Sequence, residues 1–180
     1  MTMSRADSPA ARAARGAALV SAALLLSYIE SFIPLGLLLP LPGFRLGLAN
    51  ILVMFVFFCL SSTEAAVISA VRVIVMALLF GSPVSFFFSA TGAAFSLVGM
   101  YVVNYALKNK LSFWGVSVIS ASLHNIGQLM AAAVLFSGAV ISYLPALLFA
   151  SAAFGSVSGV LLNILTPRLL PALGAQGGER

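Results

Sequence analysis

A chain of 180 residues that is 62% hydrophobic and only 7% charged lies far from the soluble average of roughly a quarter charged residues. That balance excludes a soluble globular domain and points to a membrane protein of one domain's length. The net charge of +5 is no nucleic-acid footprint, because the basic residues sit at the ends of apolar runs and no basic face is interleaved with aromatics.

Arg5, Arg12 and Arg15 make residues 1–15 a basic tail, followed by a first apolar span at roughly 16–33, near the 20 residues that cross a bilayer. Basic tail and apolar run together imitate a secretory signal. The run ends in "SYIESFIP" rather than in a small-x-small cleavage site, so a retained first helix is expected. Ala14, Ala18 and Ala22 recur every four residues along it, with Ala17 and Ser21 beside them. Such a stripe lets another helix approach closely, either inside one bundle or in a partner protein.

The connection "PLGLLLPLPGFR", residues 34–45, is apolar yet rich in proline and glycine. Non-helical backbone at membrane depth is tolerated only where it is buried in protein or lines a cavity, so this segment reads as a lid. The second and third spans, roughly 46–61 and 64–80, are separated by "SSTE". Ser62 or Thr63 can cap the third helix, and Glu64 suits its positive N-terminal end. "GSPVS" leads to a fourth span at roughly 84–107, "KNKLS" to a fifth at 113–136 and "SGAVIS" to a sixth at 143–165. A six-helix transmembrane domain at 16–166 and a C-terminal tail at 167–180 complete the division.

An even number of spans puts both termini on one side, with Lys108 and Lys110. Arg45 is the only basic loop residue opposite. The positive-inside rule makes the basic side cytoplasmic and the 34–45 lid external.

Few polar side chains remain at membrane depth. Near the outer face are Glu30, Arg45 and Asn50. Near the middle are Arg72 and the "HNIGQ" stretch with His124, Asn125 and Gln128. His124 and Gln128 share a helix face, and Asn125 flanks them. Ionisable groups inside a membrane are expensive and mark functional sites by default. At about 1.5 Å per residue, Arg72 lies some 12 Å from the cytoplasmic end of its helix and Glu30 some 20 Å from the same side. A long arginine nearly spans that gap, so a Glu30–Arg72 ion pair competes with Arg72 or Arg45 facing a cavity and holding a carboxylate or phosphate. The alternative for HNIGQ is hydrogen bonding between helices.

What is missing also narrows the function. The only aspartate is Asp7, so no paired-aspartate magnesium site for diphosphate chemistry exists. No phosphate loop of the G-x-x-x-x-G-K-[ST] type is present. The single cysteine, Cys59, excludes an internal disulfide, and a lone histidine makes neither a zinc site nor a catalytic triad. The expectation is a non-enzyme with no metal and no cofactor.

"FRLGLANI", "FGSPVSFFFSATGAAFS", "SVISASLHNIGQL" and "YLPALLFASAAFGSVSG" together resemble the bacterial membrane family of Gx transporters, also named heptaprenyl diphosphate synthase component I. The likeness runs from about residue 17 to 165, with "GLANI" and "HNIGQ" as its most specific parts. That family is similar in turn to the substrate-binding S components of energy-coupling factor (ECF) transporters. The resemblance implies a six-helix S-component-like bundle in the bacterial cytoplasmic membrane with both ends inside. Glu30, Arg45, Asn50, Arg72, His124, Asn125 and Gln128 would bind a small organic molecule such as a vitamin, flavin or isoprenoid precursor. Ala14, Ala18 and Ala22 would dock a transmembrane coupling subunit that works with separate ATPase subunits. A non-catalytic membrane subunit of a heptaprenyl diphosphate synthase is the alternative.

Overall fold

The computed structural model describes residues 8–32, 47–107, 112–136 and 138–172, as helices joined by short turns. The expected lid at 34–45, and Arg45 with it, lie outside the described residues.

Helix α1 (Pro9–Ser31) starts earlier than the apolar run alone predicts. The Ser8 hydroxyl accepts from the Ala11 N–H at 3.1 Å and Pro9 takes the first helical position, both favourable helix starts. Arg12 and Arg15 therefore ride on the helix, and Arg15 Nη2 meets Glu64 Oε1 at 3.2 Å.

Helix α2 (Asn50–Cys59) has only ten residues. At about 1.5 Å per residue it covers about 15 Å, half of a bilayer's hydrocarbon core. Its start is fixed by Gly47, whose φ of 82° is a left-handed conformation that glycine adopts without penalty. The Gly47 and Leu48 carbonyls then accept from the Asn50 and Ile51 N–H groups at 2.8 and 3.1 Å. The sequence predicts six spans, with the second and third short. Among the described residues there are six α-helices, of which five are long and apolar enough to cross a membrane.

Helix α3 (Ser62–Phe80) begins after Ser61 rather than at Ser62 or Thr63 as a cap, and Ser61 makes no side-chain capping bond. Helix α4 (Pro83–Leu107) opens on Ser82, whose hydroxyl accepts from the Ser85 N–H at 3.2 Å. Helix α5 (Phe113–Leu135) is capped by Ser112, which accepts from the Gly115 N–H at 3.3 Å. A 3-10 turn (Gly138–Tyr143) then feeds α6 (Leu144–Ala172), which carries Pro167 and Pro171 in its last turns.

Helix α5 is clamped between α4 and α6 through glycines. A Cβ at Gly127 would stand 2.7 Å from the Thr91 carbonyl oxygen of α4. One at Gly155 or Gly159 would stand 2.8 Å from Val118 Cα or 2.6 Å from Trp114 Cα. Bare glycine lets these backbones touch, which is how membrane helices gain packing energy where lipid removes the hydrophobic drive. Gly127, Gly155 and Gly159 thus serve packing within the bundle.

Two apolar clusters hold the fold. One, toward the Arg15–Glu64 end, joins Leu19, Phe55, Ile68, Met100, Val116 and Leu162. The other, toward the opposite end, joins Phe88, Leu129, Ala132 and Leu147. Large apolar side chains such as Leu78, Val134 and Phe149 point outward, where acyl chains rather than water cover them. This is a multi-pass membrane protein.

Candidate functional site: a buried polar layer at mid-depth

Between the two apolar clusters lies a layer of buried polar side chains drawn from every helix: Ser27, Glu30, Asn50, Ser69, Arg72, Ser96, Ser120, His124, Asn125, Gln128 and Ser151. At 1.5 Å per residue, Asn50, Arg72, Ser96, Ser120 and His124 sit about 12–18 Å from the Arg15–Glu64 end. That is the middle of a bilayer about 30 Å thick.

Glu30 is 2% exposed. Its Oε1 accepts from the Gly47 N–H and its Oε2 from the Leu48 N–H at 3.1 Å. A carboxyl group thus caps the backbone that opens α2, where free N–H groups and the helix dipole favour negative charge. The sequence places Glu30 and Asn50 near the outer face rather than in this layer, and it does not reveal this job. Arg72 is 4% exposed and donates from Nη1 to Ser27 Oγ at 3.3 Å. Ser27 is one turn before Glu30 on α1, so the guanidinium and the carboxyl group sit along the same helix. Arg72 also lies within electrostatic reach of His124.

Asn50, at the start of α2, ties three helices together. Its Nδ2 donates to Ser96 Oγ of α4 at 2.6 Å and to Ser120 Oγ of α5 at 3.0 Å, and the two hydroxyls are 2.6 Å apart. The HNIGQ residues then divide. His124 Nε2 and Gln128 Nε2 are 3.0 Å apart on the face toward α4. Gly92 makes room there, since a Cβ on it would stand 2.9 Å from both side chains. Asn125 turns to α6 and donates to Ser151 Oγ at 2.7 Å and to the Leu147 carbonyl at 3.3 Å.

Several polar atoms in the layer have no hydrogen-bond partner among the described residues: Asn50 Oδ1, Ser69 Oγ, His124 Nδ1, Asn125 Oδ1 and Gln128 Oε1. Leaving such a group unsatisfied in a buried setting costs about 1–3 kcal/mol. Beside them, Gly47, Leu48, Asn50, Ser117, Ser120, His124 and Ser158 border a hollow of about 20 Å³. That volume suits a single water molecule.

The structure brings together six of the seven residues expected from the sequence: Glu30, Asn50, Arg72, His124, Asn125 and Gln128. The seventh, Arg45, is outside the described residues. The sequence pattern did not single out Ser27, Ser69, Ser96, Ser120 and Ser151 as members. Spacing carried the signal: Ser27 is three before Glu30, Ser69 three before Arg72, and Ser117, Ser120, His124 and Gln128 fall on one helical face. On α1, Ala14 and Ala18 are exposed and Ala22 is half-buried, so the alanine stripe faces away from the layer.

No curated protein and no solved structure matches the chain. A family model described as heptaprenyl diphosphate synthase component I matches residues 19–165, the segment that runs from the middle of α1 into the last third of α6 and contains the whole polar layer. The chain belongs to the heptaprenyl diphosphate synthase component I family.

Proposed function

We propose that the chain captures a small polar or anionic organic molecule from the external face of the bacterial cytoplasmic membrane and passes it inward. It would do so as the substrate-binding, S-component-like subunit of an ECF-type importer. The observation that carries this reading is the set of polar atoms on Asn50, His124, Asn125 and Gln128 that have no partner among the described residues, in one mid-membrane layer. Intramembrane polar groups of this kind mark substrate pathways, and a half-membrane helix whose N-terminus ends at mid-depth is a recurring way to meet a substrate there. Glu30, Asn50, Arg72, His124, Asn125 and Gln128 form the binding layer. Arg45 and the 34–45 lid close it from outside. Both termini are cytoplasmic, and the exposed Ala14 and Ala18, with Ala22, meet a transmembrane coupling subunit that works with ATPase subunits. The chain carries no catalysis of its own.

The family's description favours a second reading, a non-catalytic membrane subunit of a heptaprenyl diphosphate synthase. An apolar groove between α3 and α4, about 260 Å³ and bordered by Ser69, Ala70, Phe86, Ala90 and Leu97, suits an isoprenoid chain.

Thermal unfolding of the purified protein with vitamins, nucleotides and prenyl diphosphates tests capture. One compound is expected to raise the Tm of the wild type and to lose that effect in Asn125→Ala and Gln128→Ala. A flat panel overturns the reading. Co-purification with ECF coupling subunits, abolished by Ala18→Trp, supports the importer, whereas co-purification with a soluble prenyl synthase supports the second reading.

A further inference from the structure

The pair of backbone N–H groups at Gly47 and Leu48 is the only place in the described layer where main-chain donors meet a carboxyl group at mid-membrane depth. Those donors belong to the turn that opens α2, a helix of ten residues, and Glu30 occupies both of them from a different helix. The same two residues border the small hollow, together with Asn50 and His124. His124 is 2% exposed, and its Nδ1 has no partner among the described residues. Arg72 adds positive charge one turn away, at Ser27.

We infer that the Gly47–Leu48 turn is an oxyanion seat, held in this structure by Glu30 as an internal stand-in, and that a carboxylate or phosphate group of the ligand takes the seat in exchange for it. The inference rests on the capture reading for its ligand and adds the ligand's chemical class. A helix N-terminus offers an anion both aligned N–H groups and the positive end of the dipole. Buried donors are costly to leave bare, so an empty binding protein gains by filling them with a group of its own. Glu30 does so with the chemistry of the ligand it excludes. Exchange also frees the carboxyl group to meet the cationic or N–H groups of the incoming molecule or of its neighbours. Glycine at position 47 fits the seat: its φ of 82° turns its N–H to the carboxyl group, and the His124 ring lies 3.4 Å from where a Cβ would be.

Formate is the probe, titrated against chloride at matched ionic strength, with thermal unfolding of wild type, Glu30→Gln and Glu30→Ala in detergent as the readout. The vacated seat in Glu30→Ala is expected to bind formate and raise the Tm by about 3 °C at saturation. Glu30→Gln keeps the volume of the side chain and carries the same test if Glu30→Ala fails to fold. Both variants should respond at about one-tenth of the formate concentration that the wild type needs, because its own carboxyl group no longer competes. Formate acting no better than chloride on either variant, or alike on all three proteins, overturns the inference. If formate has no specific effect while the ligand panel yields a neutral compound, the seat falls and capture stands. If formate binds the variants while the panel is flat, capture falls and the seat remains.

Discussion

Gly47 carries more of the site than any charged residue beside it. Its φ of 82° disfavours a Cβ by about 1–2 kcal/mol. Gly47→Ala is therefore expected to lower the Tm in detergent by about 4 °C and to weaken any ligand response along with it. An unchanged Tm would show that the turn relaxes freely. Asn125 offers a sharper contrast. Asn125→Ala removes two interhelical hydrogen bonds, each worth about 0.6 kcal/mol on average in membranes. Asn125→Asp sets an acceptor-only group against the Leu147 carbonyl and should lose at least twice as much, measured by the same unfolding curves. At this scale the sequence was legible in kind and silent in direction. Apolar surroundings alone marked Arg72 and HNIGQ as costly, and helical spacing put His124 and Gln128 on one face. That Asn125 turns to α6 while its neighbours turn to α4 depends on how far α5 is rotated, which no local pattern records. Glu30 was visible as a buried acid, but its partners are backbone N–H groups, which have no signature of their own.

The helices were readable through their apolar lengths, and their ends through serine, proline and glycine. The exception is α2. "GFRLGLANILVMF" is mostly apolar across the point where the helix starts, so composition drew a short span at 46–61 where the structure has ten helical residues. Gly47 was the one clue, and glycine is too common in membrane helices to decide alone. Packing between elements gives the clearest prediction. Gly159→Ala and Gly155→Ala must push α6 off the α5 backbone and should each destabilise the protein by about 1–3 kcal/mol. Gly92→Ala meets side chains rather than backbone, Gln128 Cγ and the His124 ring at 2.9 Å; both are buried, so it should destabilise the protein and disturb the polar layer at once. Gly16→Ala has nothing within 4 Å and gains helix propensity. It should be neutral or slightly stabilising, and it serves as the control for the other three.

For the molecule as a whole, orientation is the prediction of most consequence. With both termini cytoplasmic, the turn at Gly81–Ser82 faces outward, and Ser82→Cys in a Cys59→Ser background is expected to react with a membrane-impermeant maleimide on intact cells. A cysteine placed at Ser4 should react only after permeabilisation. The reverse pattern would invert the molecule and put the polar layer's access on the other side. The clamp on α5 has a mechanical corollary. A rod gripped through bare backbone on two sides cannot spin about its own axis without driving side chains into main chain, so α4, α5 and α6 are free only to tilt as one slab. Whatever widens the 20 Å³ hollow then does so by swinging α1–α3 against that slab. Spin-label distances from α3 to α5 should change on loading, while those from α5 to α6 hold still.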